Sequence, residues 1–244
     1  LVALSFLGRM DNDLDAAEKA GREALEIFRT ADDRPGIGGA TYMLGLVKMQ
    51  RGDLDAARVY FNENMAIQNE LGVVPFIGGA TLILSELERL AQNYDRALEL
   101  LEQCQKIFTR SQDLLNLALT YINQADILQR QGRMDEAREA LKIYFASPGI
   151  DYATYGLGLL NVAYLGWQAG QAETGARFLG AFAGVPGIEQ LLTPADYEQI
   201  DTVTAGLRAL LTEEAYEAAY AAGRRLAQAD LSAVIAKAKA YVQG

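Results

Sequence analysis

The sequence has no histidine. That removes the Ser-His-Asp and Cys-His nucleophile systems and every histidine-ligated metal site. It has one cysteine, Cys104, so no internal disulfide can form, and a reducing, cytoplasmic compartment is the expected setting. Positive charge is in short supply, with 22 Lys and Arg against 32 Asp and Glu, a formal net charge of -10. A nucleic-acid partner is therefore not expected, because phosphate binding needs a positive field. The same deficit argues against an anionic membrane surface, and no apolar run is long enough to span a bilayer. Only 5 prolines occur in 244 residues, and no stretch alternates as a half-buried strand would. The chain starts at Leu1, inside an apolar helical pattern and without an initiating Met or a signal peptide. A piece of a longer protein is the expectation.

What is present is a repeat. Gly52-Asp-Leu-Asp-Ala-Ala57 follows Asn12-Asp-Leu-Asp-Ala-Ala17 by forty residues. Gln92-Asn-Tyr-Asp-Arg-Ala97 and Gly132-Arg-Met-Asp-Glu-Ala137 come at the same step, and Gly170-Gln-Ala-Glu-Thr-Gly175 at thirty-eight. Periods between about twenty and fifty residues mark stacked supersecondary units. Each hexapeptide joins two helical patterns, with breaks expected at Asp32 to Gly36, at Val74-Pro75 and at Ser147 to Gly149. First helices are accordingly expected at 39–51, 79–92, 114–131 and 152–169. Twelve residues before each marker stands a small residue: Ser5, Gly45, Ser85, Ala125 and Ala163. Small residues on both helices let two backbones approach. Four residues after the marker a bulky apolar residue follows, Phe61, Leu101, Leu141 or Leu179, with Gly21 the exception. The aspartates Asp15, Asp55, Asp95 and Asp135 are read as helix caps rather than catalytic groups.

Other candidate chemistry is thin. Gly156-Leu-Gly158 lacks the strand and third glycine of a dinucleotide loop and is read as close helix packing. Cys104 is read as inert core. The string Ile-Gly-Gly-Ala-Thr occurs at 37–41 and 77–81, and each copy is taken to open a first helix. Gly39 and Gly79 serve either close packing or an opening in a groove, and of the two, packing is expected.

This pattern of small residue, twelve-residue step to Ala, and following aromatic or Leu resembles the tetratricopeptide repeat over about residues 1 to 182. It departs from that family in its period, which is usually about 34 residues. The resemblance implies an all-α, right-handed α-solenoid of about five helix pairs (residues 1–182) with C-terminal capping helices (183–244). It also implies that the first helix of each pair lines a concave groove. By position that face holds Tyr42, Met49 and Gln50, then Glu86 and Arg89, then Asp126, Gln129 and Arg130, then Tyr164, Trp167 and Gln168. Such a mixture suits a protein or peptide segment, including another domain of the same parent chain. A small-molecule effector in the same groove is the alternative. No enzyme activity, cofactor or metal is expected, and a homodimer through the C-terminal helices stays open.

In the C-terminal segment, Thr193-Pro194 reads as a helix start. The helix that follows is expected to bury Tyr197, Ile200, Val203, Leu207 and Leu210, and Thr212 to cap the next. Phe178-Leu-Gly-Ala181, Leu207-Arg-Ala-Leu-Leu211, Glu213-Glu-Ala-Tyr216 and Ala222-Gly-Arg-Arg-Leu226 together resemble the end of the repeat region in bacterial signal-transduction ATPases. That resemblance implies a sensor segment of a signalling or transcriptional regulator.

Overall fold

The structure, a computed structural model, describes residues 2–10, 13–148, 152–190, 192 and 194–244. Among them every regular element is helical. The chain divides into two compact units, Leu1–Gln112 and Asp113–Gly244.

The first unit contains α1 (Val2–Met10), α2 (Leu14–Thr30), α3 (Arg34–Gln50), α4 (Leu54–Leu71), α5 (Val74–Leu90) and α6 (Tyr94–Ser111). Each helix packs on the next. The forty-residue marker is the hinge between the two helices of a pair. Its first residue is left-handed, with φ +77° at Gly52, +75° at Gly132, +70° at Gly170 and +60° at Gln92. This conformation turns the backbone back on the helix just ended. Asp53 N–H donates to Lys48 O at 3.0 Å and Arg133 N–H to Leu128 O at 2.9 Å, which satisfies carbonyls the helix would leave open. The second marker residue is the N-cap. Asp13 and Asp53 accept from the backbone N–H of Ala16 and Ala56 at 3.1 and 3.2 Å. The cap therefore sits two residues earlier than the sequence reading placed it. Asp15, Asp55, Asp95 and Asp135 lie in the first turn, where they favour the dipole without capping. Asn12 lies outside the described residues.

The last marker residue is the crossing point. Ala17, Ala57, Ala97 and Ala137 are fully buried. Ser5 Oγ donates to Ala17 O at 2.8 Å across the α1–α2 contact. At Gly45 an added Cβ would lie 2.5 Å from Cε1 of the Phe61 ring, so the bulky residue one turn after the marker fills the space that glycine vacates. Gly21, the exception at that position, lies against Leu44 and Ser5, whose side chains would have to shift to admit a methyl group.

Two expected breaks are helix starts instead. Pro35 and Pro75 occupy the first turn of α3 and α5, where a missing N–H costs nothing. The first helices of these pairs consequently begin at Arg34 and Val74, about five residues before the expected starts, and the Ile-Gly-Gly-Ala-Thr strings lie inside them. Gly38 and Gly78 are the packing glycines, against Ile67 and Phe108. A Cβ at Gly39 or Gly79 would meet nothing within 4 Å, so the packing expected of these two is corrected.

The second unit contains α7 (Leu114–Arg130), α8 (Met134–Ala146), α9 (Tyr152–Gln168), α10 (Ala172–Ala183), a 3-10 turn (Ile188–Gln190), α11 (Pro194–Leu210), α12 (Glu213–Ala229) and α13 (Leu231–Gln243). One apolar core runs from Ala118 on α7 to Val242 on α13 and includes Tyr144, Phe145, Leu160, Leu179 and Leu207. Residues on both sides of position 182 share it. The α10–α12 crossing is backbone against backbone: a Cβ on Gly180 would sit 2.0 Å from Tyr220 O, and one on Gly223 1.9 Å from Arg177 O. The next helix, α13, lies on α8 and α9. Arg138 Nη1 donates to Tyr241 O at 2.9 Å, and its guanidinium carbon is 5.4 Å from the Tyr241 ring centroid. On α11, Val203 and Leu207 are buried and Ile200 partly so. Tyr197 and Leu210 are 51% and 55% exposed, so their expected burial is corrected: the buried stripe is narrower than the sequence pattern. Thr212 Oγ1 accepts from Ala215 N–H at 3.2 Å, as a cap should. Thr193 lies outside the described residues.

Two outcomes follow for urea unfolding. Gly180→Ala has no side chain that can yield and should destabilise the chain by about 3 kcal/mol or more. Gln92→Gly relieves a left-handed non-glycine residue and should stabilise it by about 0.5–1 kcal/mol.

Candidate interaction surface

In the first unit the first-helix faces come from α3 and α5. At a 3.6-residue period, Gly39, Tyr42, Leu46 and Met49 share one stripe of α3, and Gly79, Leu82, Glu86 and Arg89 the equivalent stripe of α5. Tyr42 is half-buried, its ring 6.2 Å from that of Phe61 at 56°. Met49 packs partly against the Ala57, Phe61 and Leu84 core, and Gln50 is exposed. Glu86 and Arg89 form a two-pronged pair: Nε donates to Oε2 at 2.7 Å and Nη2 to Oε1 at 2.5 Å. Arg89 is buried, at 8% exposed, so its expected place on an open face is corrected, and the Glu86 carboxylate keeps its charge matched there. At the head of the stripe, Gly39 is half-buried and Gly79 exposed, with open space over both.

In the second unit the equivalent positions lie on α7 and α9. Arg130 Nε donates to both carboxylate oxygens of Asp126, each at 3.0 Å. Gln129 is turned into the core. Its Nε2 donates to Asn161 O at 2.8 Å and it is 1% exposed, so its expected place on an open face is corrected. Tyr164 packs edge-on against Trp167, ring centroids 5.3 Å apart, and its hydroxyl donates to Gln129 O at 3.4 Å. Burial pushes the Tyr164 phenol above its ordinary range. Trp167 lies against Gly206 of α11, where a Cβ would fall 2.0 Å from its ring, so much of this indole serves the fold. Gln168 is exposed. The positions that correspond to Gly39 and Gly79 are Leu119 and, after the thirty-eight-residue step, Leu157, so the glycine pair is a feature of the first unit.

Cys104 is fully buried under Gly78, with Sγ 3.8 Å from Gly78 O. Burial raises its thiol to about 12, and the thiolate is the reactive form. Ellman's reagent at pH 8 should leave Cys104 unmodified until denaturant unfolds the chain; rapid native reaction would contradict the packing. No group of His, Cys, Asp or Glu fit to hold a metal ion occurs among the described residues. No described helix is long and apolar enough to cross a membrane. A second concavity, between α10 and α12, was not anticipated. Its only signal in the sequence is the i, i+4 pair Tyr216 and Tyr220.

Comparison with known proteins agrees with this geometry. A tetratricopeptide repeat family model matches residues 79–142, which spans α5 to α8. No curated protein matches the chain. Among solved structures, BtubC (BKLC) from P. vanneervenii is similar at 19% identity and a TM-score of 0.59, over 95% of this chain and 92% of that one. Repeat, helix order and these likenesses agree that the chain has an all-α, tetratricopeptide-like repeat fold.

Proposed function

We propose that the chain is a non-catalytic scaffold whose first unit receives an extended peptide or protein segment along the stripes headed by Gly39 and Gly79. Tetratricopeptide repeats in general act as protein-interaction scaffolds. One observation carries the reading to these residues. Glycine inside a helix costs about 1 kcal/mol against alanine, and neither Gly39 nor Gly79 recovers that cost by packing or by backbone conformation. Bare backbone in open space lets another chain approach closely. The stripes continue into an aromatic ring at Tyr42 and a charge pair at Glu86 and Arg89, which supply an apolar anchor and polar specificity. In the second unit Asp126 is buried, contrary to its expected place on an open face, and only its partner Arg130 is partly exposed. The helices from α11 onward serve as the cap that ends the repeat array. A place within a larger signalling or transcriptional regulator of the ATPase type rests on the resemblance of the C-terminal segment.

The test selects binders from a displayed library of random peptides on the purified chain. Selected peptides should lose about tenfold or more in affinity on the double variant Gly39→Leu, Gly79→Leu. The same variant should be equally or more stable by thermal melting, since leucine is a better helix former than glycine and its Cβ meets nothing within 4 Å at either position. Undiminished binding, or a library that enriches nothing, would refute the assignment.

A further inference from the structure

The second unit holds a cleft of about 420 Å³ bounded by α10, the 3-10 turn, α11 and α12. It lies within the range of about 300–1,000 Å³ common for small-molecule sites. Its floor is apolar and firm: Phe182, Ile188 and Tyr216 are each at most 3% exposed. Tyr216 and Tyr220 stack beside it, ring centroids 5.8 Å apart at 23°.

The charged rim decides what fits. Arg208 lies over Tyr216, its guanidinium carbon 4.2 Å from the ring centroid. Its charge is already engaged by two carboxylates: Nη2 donates to Glu217 Oε1 at 2.6 Å, and Nη1 donates to Glu213. Glu189 lines the same cleft, and no ion pair engages it among the described residues. Three carboxylates thus stand against one guanidinium. An anionic ligand would meet net negative charge and an Arg already paired with two carboxylates. A neutral apolar ligand would bring Glu189 no partner.

We propose that this cleft is a site for a small free amine, a primary ammonium group on an aromatic or branched aliphatic body. The body fills the space over Phe182 and Ile188. The ammonium donates to Glu189, whose charge no ion pair engages, and shares Glu217 with Arg208. The site is separate from the first-helix stripes and does not depend on them.

Isothermal titration of the full chain with 2-phenylethylammonium, set against its neutral counterpart 2-phenylethanol, tests this. Saturable one-to-one binding is expected for the ammonium, weakened about tenfold or more for the alcohol and for the Glu189→Gln variant. Glu189 is exposed, so this substitution leaves the fold intact. The Gly39→Leu, Gly79→Leu variant should bind the amine as the parent does. Absence of saturable ammonium binding, equal affinity for the alcohol, or indifference to Glu189→Gln would each overturn the proposal.

Discussion

The close crossing of the two helices in each pair is the constraint on which the rest depends. Where a Cβ on Gly166 would lie 2.9 Å from Gly175 Cα, or Ser5 hydrogen-bonds Ala17 O, no side chain larger than a hydroxymethyl stands between the backbones. The pair can close only if the turn before it brings the chain round tightly, so the left-handed residue and the N-cap are fixed by the same requirement. Phe61, one turn after Ala57, then has a cavity of set shape to fill and is fully buried there. Burying that face of each helix fixes which face is left over, and the stripe through Gly39 and Tyr42 is the remainder.

The α10–α12 contact carries the same principle further. At Gly180 and Gly223 even a methyl group is excluded by a facing carbonyl. The C-terminal helices are thereby locked to the last repeat rather than appended to it, and one core serves both. Packing at this distance between main chains leaves little room for rearrangement, because backbone atoms cannot change rotamer.

Much of this was legible in the sequence because the information is local and recurs. Turn residue, cap, crossing alanine and bulky follower fall in a fixed order, and forty-residue copies confirm one another. Legibility failed where one residue type has two local meanings. Pro35 and Pro75 read as breaks because proline ends helices, yet it also starts them, and Asp33 with its side chain on Gly36 N–H was the missed start signal. In the glycine pairs, sequence alone could not tell the packed Gly38 from the open Gly39, one residue apart but on different faces. Gln129, Trp167 and the tyrosine-lined cleft were illegible for another reason. Their surroundings come from helices distant in the chain, Asn161 for Gln129 and Gly206 for Trp167, and no local pattern announces such neighbours.

The backbone N–H groups that open each hinge bond back to the helix just ended, within the same pair. A forty-residue segment from one hinge to the next is therefore a cassette. Duplicating or deleting a whole one would keep the spacing between small residue and marker, whereas one residue added inside a helix would rotate the rest of that helix by about 100°. The final step is thirty-eight residues, and the twelve-residue spacing from Ala163 to Gly175 is kept across it. After it, α10 meets α12 through glycines instead of meeting another first helix through the usual face. There the face of α10 is taken by α12.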